Sequence, residues 1–250
     1  MQIIPVIDLK DGVVVRAVAG QRELYRPVES VLGCDATARG VAGAFASHFG
    51  FHSVYVADLD AIAGAEPNWA AYEAIASAGL RLMVDSGTNS VERAASFIGG
   101  SSVSEWCWGV VVGLESLQSK QDVAALCAAI GPERAIFSLD LRNGKPLTEI
   151  PVWSESVPIE IVDAVVDMGF RRLIVLDLAS VGREEGVSVR NHCTAIRARH
   201  PRLEITSGGG LRHRLDLIEL ASAGCDAALV ASALHNGSLT KEVISEFHCI

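Results

Sequence analysis

The sequence has little of what marks a nucleic-acid-binding or membrane protein. Lysine and arginine form no cluster, and 30 acidic residues against 21 basic ones leave a formal net charge of −9. Without a basic patch, neither nucleic acid nor an anionic membrane is expected as the main partner. No apolar run approaches the length of a membrane span, and the first residues lack the basic and apolar order of a signal peptide. We therefore expect a cytoplasmic protein.

Metal and disulfide chemistry also find little support. The six cysteines are scattered without a Cys-x-x-Cys pair, and the seven histidines show no close ligand spacing. Zinc sites and disulfide frameworks depend on such spacings. A lone histidine such as His52 is expected to be structural. We therefore expect reduced thiols, no metal and no organic cofactor.

A dinucleotide-binding turn and an interdomain linker are absent as well. An open doubly wound sheet would usually carry a Gly-x-Gly-x-x-Gly turn after its first strand, where this chain has Lys10, Asp11 and Gly12. No low-complexity stretch divides the 250 residues, and half of them are apolar, which is ample for one large core. One domain covering 1–250 is expected.

What the sequence does contain is a regular alternation of strand and helix patterns. Apolar runs bounded by turn residues predict buried strands, and the stretches between most of them have helical spacing. Eight such units in 250 residues are typical of an α/β fold in which a parallel sheet closes into a (β/α)8 TIM barrel. The predicted strands are 2–8, 53–58, 81–85, 107–112, 134–140, 172–177, 203–207 and 226–231. The predicted helices include 38–48, 69–77, 161–168, 189–199 and 215–223.

The second half of the chain repeats the first. Residues 4–12 match residues 136–144 almost position for position, and both stretches end in aspartate, leucine, a cation and a turn that closes with glycine. Three further matches relate the second, third and fourth strands to the sixth, seventh and eighth. This repeat predicts a barrel made of two duplicated half-barrels. The three matches are 55–59 with 174–178, 83–87 with 205–209, and 110–113 with 228–231.

Asp8 and Asp140 end the first and fifth predicted strands. In a barrel, the carboxyl ends of the strands form the active face, so the two side chains would face each other across its mouth. Two carboxylates there suit general acid–base catalysis, with one protonated and the other ionised. The alternative is a pair of structural acids bonded to loop amides.

Two glycine-containing or small-residue turns follow the last two predicted strands, where TIM barrels often hold a phosphate. Glycines let the backbone approach an anion, and helix N-termini supply free N–H groups. The sequence therefore predicts a phosphate site, with two ordinary tight turns as the alternative. Its residues are Ser207, Gly208, Gly209, Gly210, Ala231 and Ser232.

Several motifs together resemble the ProFAR isomerase of histidine biosynthesis and its cyclase sister, across nearly the whole chain. They are 4–12, Val15 with Arg16, 57–60 with Gly64 and Asn68, 138–140, and 207–209.

The resemblance implies a duplicated half-barrel that binds a bisphosphate, one phosphate to each half, and performs an Amadori aldose-to-ketose rearrangement. It implies that Asp8 is the general base and Asp140 the general acid, and that a small phosphorylated metabolite is the partner. Further possible substrate contacts are Lys10, Arg16, Asp58, Asp85, Glu115 and Asp177.

The chain departs from that family at two functional sites, the end of the sixth strand with the turn after it, and the turns for the first-half phosphate. Leu176 stands where the isomerase has a threonine, and 181–183 replace its Asp-Gly-Thr. Asp85 and Glu115 occupy the turns where the first-half phosphate should sit, and like charges there would repel it unless both side chains point away. We expect a paralogue with a one-sided anion site and little ProFAR isomerase activity.

The leading interpretation is therefore acid–base isomerisation of a small phosphorylated aminosugar or related phosphometabolite. One alternative is a non-catalytic barrel that binds a phosphometabolite or serves as a scaffold. Another is a phosphoribosylanthranilate-type isomerase, whose substrate has a single phosphate but needs an apolar pocket for its ring. Whether Asp8 and Asp140 both reach a solvent-filled pocket discriminates catalysis from binding.

Overall fold

Eight parallel strands close into a barrel, as the sequence predicts. The computed structural model describes residues 1–99, 101–181 and 189–248. Around the barrel the strands run in the order β1, β4, β5, β6, β7, β9, β10 and β11, and β11 pairs with β1 to close it. The strand bounds are β1 Gln2–Lys10, β2 Val13–Arg16, β3 Arg26–Pro27, β4 Ser53–Asp58, β5 Arg81–Asp85, β6 Cys107–Gly113, β7 Ala135–Arg142, β8 Lys145–Pro146, β9 Arg172–Asp177, β10 Glu204–Gly208 and β11 Ala227–Val230.

Helices lie between the strands. Some of them begin where a side-chain oxygen accepts a hydrogen bond from a first-turn amide, as at Thr37, Asn68, Ser90 and Ser119. In the described part of the chain, none is both long and apolar enough to cross a bilayer. Their bounds are α1 Ala38–Ala44, α2 Leu59–Ile62, α3 Trp69–Ala76, α4 Val91–Ile98, α5 Ser101–Trp106, α6 Lys120–Ile130, α7 Pro151–Ser154, α8 Pro158–Asp167, α9 Arg190–Arg199, α10 Arg214–Ser222, α11 Ser232–His235 and α12 Lys241–His248.

The predicted helix over 38–48 is present in two parts. The helix α1 continues into a π-helical turn, Phe45–Phe49, and two 3-10 turns occur at Arg22–Leu24 and Leu114–Ser116.

Two apolar layers hold the barrel together because alternate strand residues point to opposite faces of the sheet. One layer fills the space between strands and helices and includes Val54, Val56 and Phe137. The other fills the barrel interior with side chains such as Tyr55 and Ile136. Since the interior is packed, the space for a ligand lies at the mouth of the barrel, where the strands end.

Two antiparallel hairpins extend the barrel at matched positions, after β1 and after β7. Each turn has two residues with positive φ, 51° and 78° at Asp11 and Gly12, and 53° and 76° at Asn143 and Gly144. Two-residue turns of this kind fit the twist of antiparallel strands. The sequence prediction did not include β2, β3 and β8, because strands of two to four residues leave no periodic pattern.

Candidate active site

A cavity of about 560 Å³ opens at the carboxyl ends of the barrel strands. Both Asp8 and Asp140 line it, together with Asp85 and Glu115. Arginine side chains lie around the same cavity, among them Arg16, one of the expected substrate contacts. The two acids predicted for catalysis therefore reach one shared, water-accessible space.

Strand register aligns Asp8 with Asp85 across the strand between them. Asp8 pairs with Ala57, and Ala57 pairs in turn with Asp85 on the next strand. The small side chain of Ala57, which also lines the cavity, leaves the space between the two carboxylates open. Asp140 lies on β7 and pairs with Leu176, which lines the cavity as well.

Burial raises the pKa of both predicted catalytic acids. For Asp8, burial alone raises the pKa to about 7. For Asp140, burial raises the pKa well above its ordinary value, and the nearby carboxylates of Glu115 and Asp85 raise it further. The Ser138 hydroxyl (2.8 Å) and the Glu115 amide (3.4 Å) donate hydrogen bonds to Asp140 and act in the opposite direction. With two acidic neighbours, Asp140 is the group that holds its proton more firmly.

Tyr55 is a polar group of the site that sequence reasoning missed. Its hydroxyl donates a hydrogen bond to Oδ2 of Asp85 at 3.2 Å. Burial, followed by the charges of Asp85, Asp140 and Asp8, raises the Tyr55 pKa well above 10. Tyr55 therefore stays protonated and serves as a hydrogen-bond donor. Its inward position beside Ala57 was the signal that could have identified it.

Asp85 lies under the first-half turn with its carboxylate close to that of Asp140. Burial is the largest cause that raises its pKa, to about 6. The Gly87 amide donates to its Oδ1 at 3.2 Å. A Cβ placed on Gly113 would lie 3.5 Å from Oδ2 of Asp140 and 3.8 Å from Oδ2 of Asp85. The absent side chain at Gly113 therefore leaves both carboxylates facing a common space.

Arg22 and Glu115 form an ion pair at the cavity. The guanidinium Nη2 of Arg22 lies 3.0 Å from Oε1 of Glu115, and both side chains are partly exposed. Arg22 belongs to the loop between β2 and β3, which also donates a hydrogen bond from the Ala19 amide to the Val181 carbonyl at 2.7 Å. This loop thus reaches the turns after β6 and after β9.

The predicted phosphate residues are only partly brought to the cavity. Gly209, Gly210, Ala231 and Ser232 line it. Gly209 has φ 90°, and a Cβ there would lie 2.9 Å from the Ser180 hydroxyl, so the turn needs glycine.

Ser207 and Gly208 are buried behind that turn, outside the described cavity lining. The Ser207 hydroxyl donates to the Val175 carbonyl at 2.9 Å. A Cβ on Gly208 would lie 2.8 Å from the Leu229 carbonyl oxygen, so its glycine serves the packing of β10 against β11.

Asp58 and Asp177 hold their own loops together. The Asp58 carboxylate accepts hydrogen bonds from the amides of Ala61 (3.2 Å) and Asn68 (2.8 Å) and from the Tyr72 hydroxyl (2.6 Å).

Asp177 accepts hydrogen bonds from the amides of Asn143 (3.0 Å), Gly144 (2.8 Å) and Ala179 (3.0 Å).

Lys10 lies 3.7 Å from the Asp11 carboxylate. Among the described residues, the cavity lining includes neither Lys10 nor the two aspartates that hold loops.

Gly182 and Arg183, two of the three residues that replace the Asp-Gly-Thr of the isomerase, lie outside the described residues. Val181, just before them, lines the cavity. Within the described ranges, no group of three or more His, Cys, Asp or Glu side chains is arranged to hold a metal ion.

Comparison with known proteins places these features in a family. The family model described as "Histidine biosynthesis protein" matches residues 2–240 of the chain. An uncharacterized protein of Methanocaldococcus jannaschii is 32% identical over 249 residues, which cover 99% of each chain.

Relatives of named activity are somewhat more distant. The 1-(5-phosphoribosyl)-5-((5-phosphoribosylamino)methylideneamino) imidazole-4-carboxamide isomerase of Halothermothrix orenii is 27% identical over 258 residues, covering 99% of this chain and 100% of its own. The enzyme of the same name from Thermus thermophilus is 28% identical over 249 residues, covering 96% of each. Their name describes a substrate with two phosphoribosyl groups.

Proposed function

The chain belongs to the histidine biosynthesis protein family, and we propose that it is an acid–base isomerase of a small phosphorylated aminosugar or related phosphometabolite. One observation carries this proposal: Asp8 and Asp140 line the same cavity at the barrel mouth, and both have raised pKa values. Perturbed acids that converge in a cleft are typical of catalytic sites.

In the proposed reaction the two acids have opposite tasks. Asp140 donates its proton to the ring oxygen of the aminosugar as the bond between C1 and that oxygen breaks, which gives an iminium at C1. Asp8, as the carboxylate, removes the proton from C2, and the electron pair of that C–H bond forms the C1–C2 double bond of an enolamine. Addition of a proton at C1 and loss of the proton of the C2 hydroxyl then give the ketone. Asp140 suits the acid role because two neighbouring carboxylates favour its protonated form. Asp8 suits the base role because a pKa of about 7 leaves it partly ionised at neutral pH.

The phosphate of the substrate is proposed to bind at the second-half cradle, which we define as the turns 209–210 and 231–232. These turns are neighbours because β10 pairs with β11, with Gly208 opposite Leu229. Gly209 and Gly210 present bare backbone to the cavity, and Ser232 adds a hydroxyl. Backbone amides and small residues of this kind suit close contact with an anion.

The barrel is proposed to consist of two duplicated halves. The matched hairpins after β1 and β7, with the same two-residue turns, support this. The substrate is proposed to differ from that of the named relatives, because Leu176 brings an apolar side chain to the cavity where the isomerase has a threonine.

A phosphoribosylanthranilate-type isomerase is the second candidate. Its aromatic substrate needs an apolar wall, and Leu59, Ile62 and Leu211 supply one in the cavity lining. This candidate shares the two acids and the single phosphate, so it changes the substrate and not the chemistry.

A screen of phosphorylated aminosugars tests the proposal. Binding would be followed by the rise in melting temperature, and conversion of each hit by NMR at C1 and C2. We expect at least one ligand that both stabilises the protein and is converted, with loss of the proton at C2 and gain of one at C1. Ligands that bind tightly but are not converted would indicate a binding barrel instead.

A further inference from the structure

The first-half cradle, defined as the turns 85–87 and 113–116, is the counterpart of the second-half cradle. The sequence repeat matches 83–87 with 205–209 and 110–113 with 228–231. The backbone plan is shared, because the matched glycines Gly87 and Gly209 have positive φ values of 65° and 90°. A short helical turn follows the strand in both halves, at Leu114–Ser116 and at Ser232–His235.

In the first-half cradle, two backbone amides already donate to carboxyl groups of the protein. The Gly87 amide donates to Oδ1 of Asp85 at 3.2 Å, and the Glu115 amide donates to Oδ2 of Asp140 at 3.4 Å. These amides belong to the two turns that would face an anion in this half. Carboxyl groups of the protein therefore occupy backbone donors that a phosphate would need.

The side chain of Glu115 also engages the nearby cation. Its Oε1 lies 3.0 Å from Nη2 of Arg22. A guanidinium at this edge of the cavity would be a natural partner for a phosphate. Because Glu115 already pairs with Arg22, a carboxylate of the protein balances the positive charge of the guanidinium.

The second half has no such carboxylates at the matched positions. Ser207 corresponds to Asp85, and its hydroxyl donates to the Val175 carbonyl at 2.9 Å, away from the cradle. Extending the match by two residues, Ala233 corresponds to Glu115. At these matched positions the two halves therefore differ by two acidic residues that only the first half carries.

We propose that Asp85 and Glu115 are specificity-determining residues that exclude a second phosphate, so that the substrate carries a phosphate at one end only. The inference rests on the proposed function, since it takes the second-half cradle as the phosphate site. It separates this chain from its named relatives, whose substrate carries two phosphoribosyl groups by name.

The physical reason is short-range repulsion in a partly dry site. Asp85 is 8% exposed, so water screens its charge poorly. A phosphate dianion placed there would meet two carboxylates and would have to displace both from amide or arginine partners. We expect the penalty to lower affinity at least about tenfold.

A double variant, Asp85→Ser with Glu115→Ala, gives the first half the residues of the second at these two positions. The probes are alkane α,ω-bisphosphates of increasing chain length, each with its matching alkyl monophosphate, measured by calorimetry. In the wild type, no bisphosphate should bind appreciably tighter than its monophosphate. In the double variant, at least one bisphosphate should bind about tenfold tighter or more than in the wild type, with monophosphate affinity changed less than about threefold.

Two controls keep the test decisive. Glu115→Gln keeps the shape of the side chain and should give part of the gain if the double variant folds poorly. Ser232→Asp places a carboxylate in the second-half cradle and should weaken the monophosphates at least about tenfold.

Failure of the specificity inference is distinct from failure of the phosphate site. A wild type that prefers bisphosphates tenfold, or folded variants that gain nothing, would overturn the role of Asp85 and Glu115. Monophosphates that do not bind, or that bind equally well to Ser232→Asp, would overturn the second-half site of the proposed function and this inference with it.

Discussion

The backbone amide of Glu115 donates a hydrogen bond to Oδ2 of Asp140, while the carboxylate of the same residue raises the Asp140 pKa. The amide favours the ionised form of Asp140, and the carboxylate favours the protonated form. Burial, the largest cause, also favours the protonated form. Glu115 therefore helps to set the proton affinity of the proposed general acid.

Replacing Glu115 with glutamine should move the alkaline limb of the pH–rate profile. If Asp140 is the acid, activity falls at high pH as it loses its proton. Removing the neighbouring negative charge lowers the Asp140 pKa, so the limb should shift to lower pH by about one unit. The measurement is kcat against pH on a substrate found by the aminosugar screen.

Glu149→Gln is the matched control, because Glu149 lies at the exposed rim of the same cavity. Water and salt screen its charge, so the limb should move much less. An unchanged limb in Glu115→Gln would argue that Asp140 does not govern the high-pH loss.

Asp8→Asn and Asp140→Asn should each reduce turnover about 10²–10⁴-fold, since each removes a positioned base or acid. Circular dichroism should be unchanged, because asparagine keeps the shape of the side chain. Asp167→Asn, an exposed aspartate at the end of α8, serves as the control and should retain activity. Near-normal rates in both cavity variants would refute the paired-acid mechanism.

The sequence predicted the eight barrel strands to within two residues at each end, because apolar runs between turn residues record burial directly. It also placed Asp8 and Asp140, since strand ends in a barrel share one face. The Tyr55 hydroxyl was missed because it lies inside an apolar run. Pairing of Arg22 with Glu115 joins loops 93 residues apart, and no local pattern records such a contact.

The sequence also could not predict which way the side chains at the strand ends point. Asp58 and Asp177 have the sequence context of substrate contacts, yet their carboxylates accept hydrogen bonds from nearby loop groups. Ser207 likewise bonds to a neighbouring strand. The position of a residue in the sequence predicts which strand carries it and at which end of that strand it lies. Its hydrogen-bond partners depend on how separate loops pack, which the sequence pattern does not record.

Asp8→Asn should stabilise the protein at pH 8 but not at pH 4. Burial raises the Asp8 pKa from 3.8 to about 7, so its stabilising contribution is fully present below about pH 4 and is lost as the pH rises through about 7. Asparagine carries no charge and avoids this loss. We expect a gain on the order of 1–3 kcal/mol at pH 8, reduced from the full shift by water in the open cavity.

Thermal unfolding at the two pH values measures this gain. It should appear as a rise of about 3–10 °C in melting temperature at pH 8 and vanish near pH 4. A gain of the same size at both values would point to improved packing and not to the charge of Asp8.

Little or no ProFAR isomerase activity is expected, although the relatives of named activity are isomerases of that type. Leu176 brings an apolar side chain to the cavity where the isomerase has a threonine hydroxyl. Complementation of a histidine auxotroph that lacks this isomerase measures the activity directly. The matched control strain carries an authentic isomerase on the same vector, and robust growth with this chain would refute the expectation.

The last prediction separates a structural from a substrate-binding role for Asp177. Its buried carboxylate accepts hydrogen bonds from three backbone amides, two of them in the turn between β7 and β8. Asp177→Ala would leave those amides without their acceptor and open a small void. Each lost charged hydrogen bond costs about 1–3 kcal/mol, though water can partly replace it, so we expect a loss of about 2–4 kcal/mol and a melting temperature lower by roughly 5–15 °C.

Activity measured well below that melting temperature then decides the role. If Asp177 only holds the hairpin, KM of the folded variant should stay within about threefold of the wild type, because the carboxylate faces the turn and not the cavity. Asp140→Asn provides the opposite pattern, with stability kept and turnover lost. A large rise in KM for Asp177→Ala without loss of stability would mean that the carboxylate leaves the turn to contact substrate, as the sequence alone suggested.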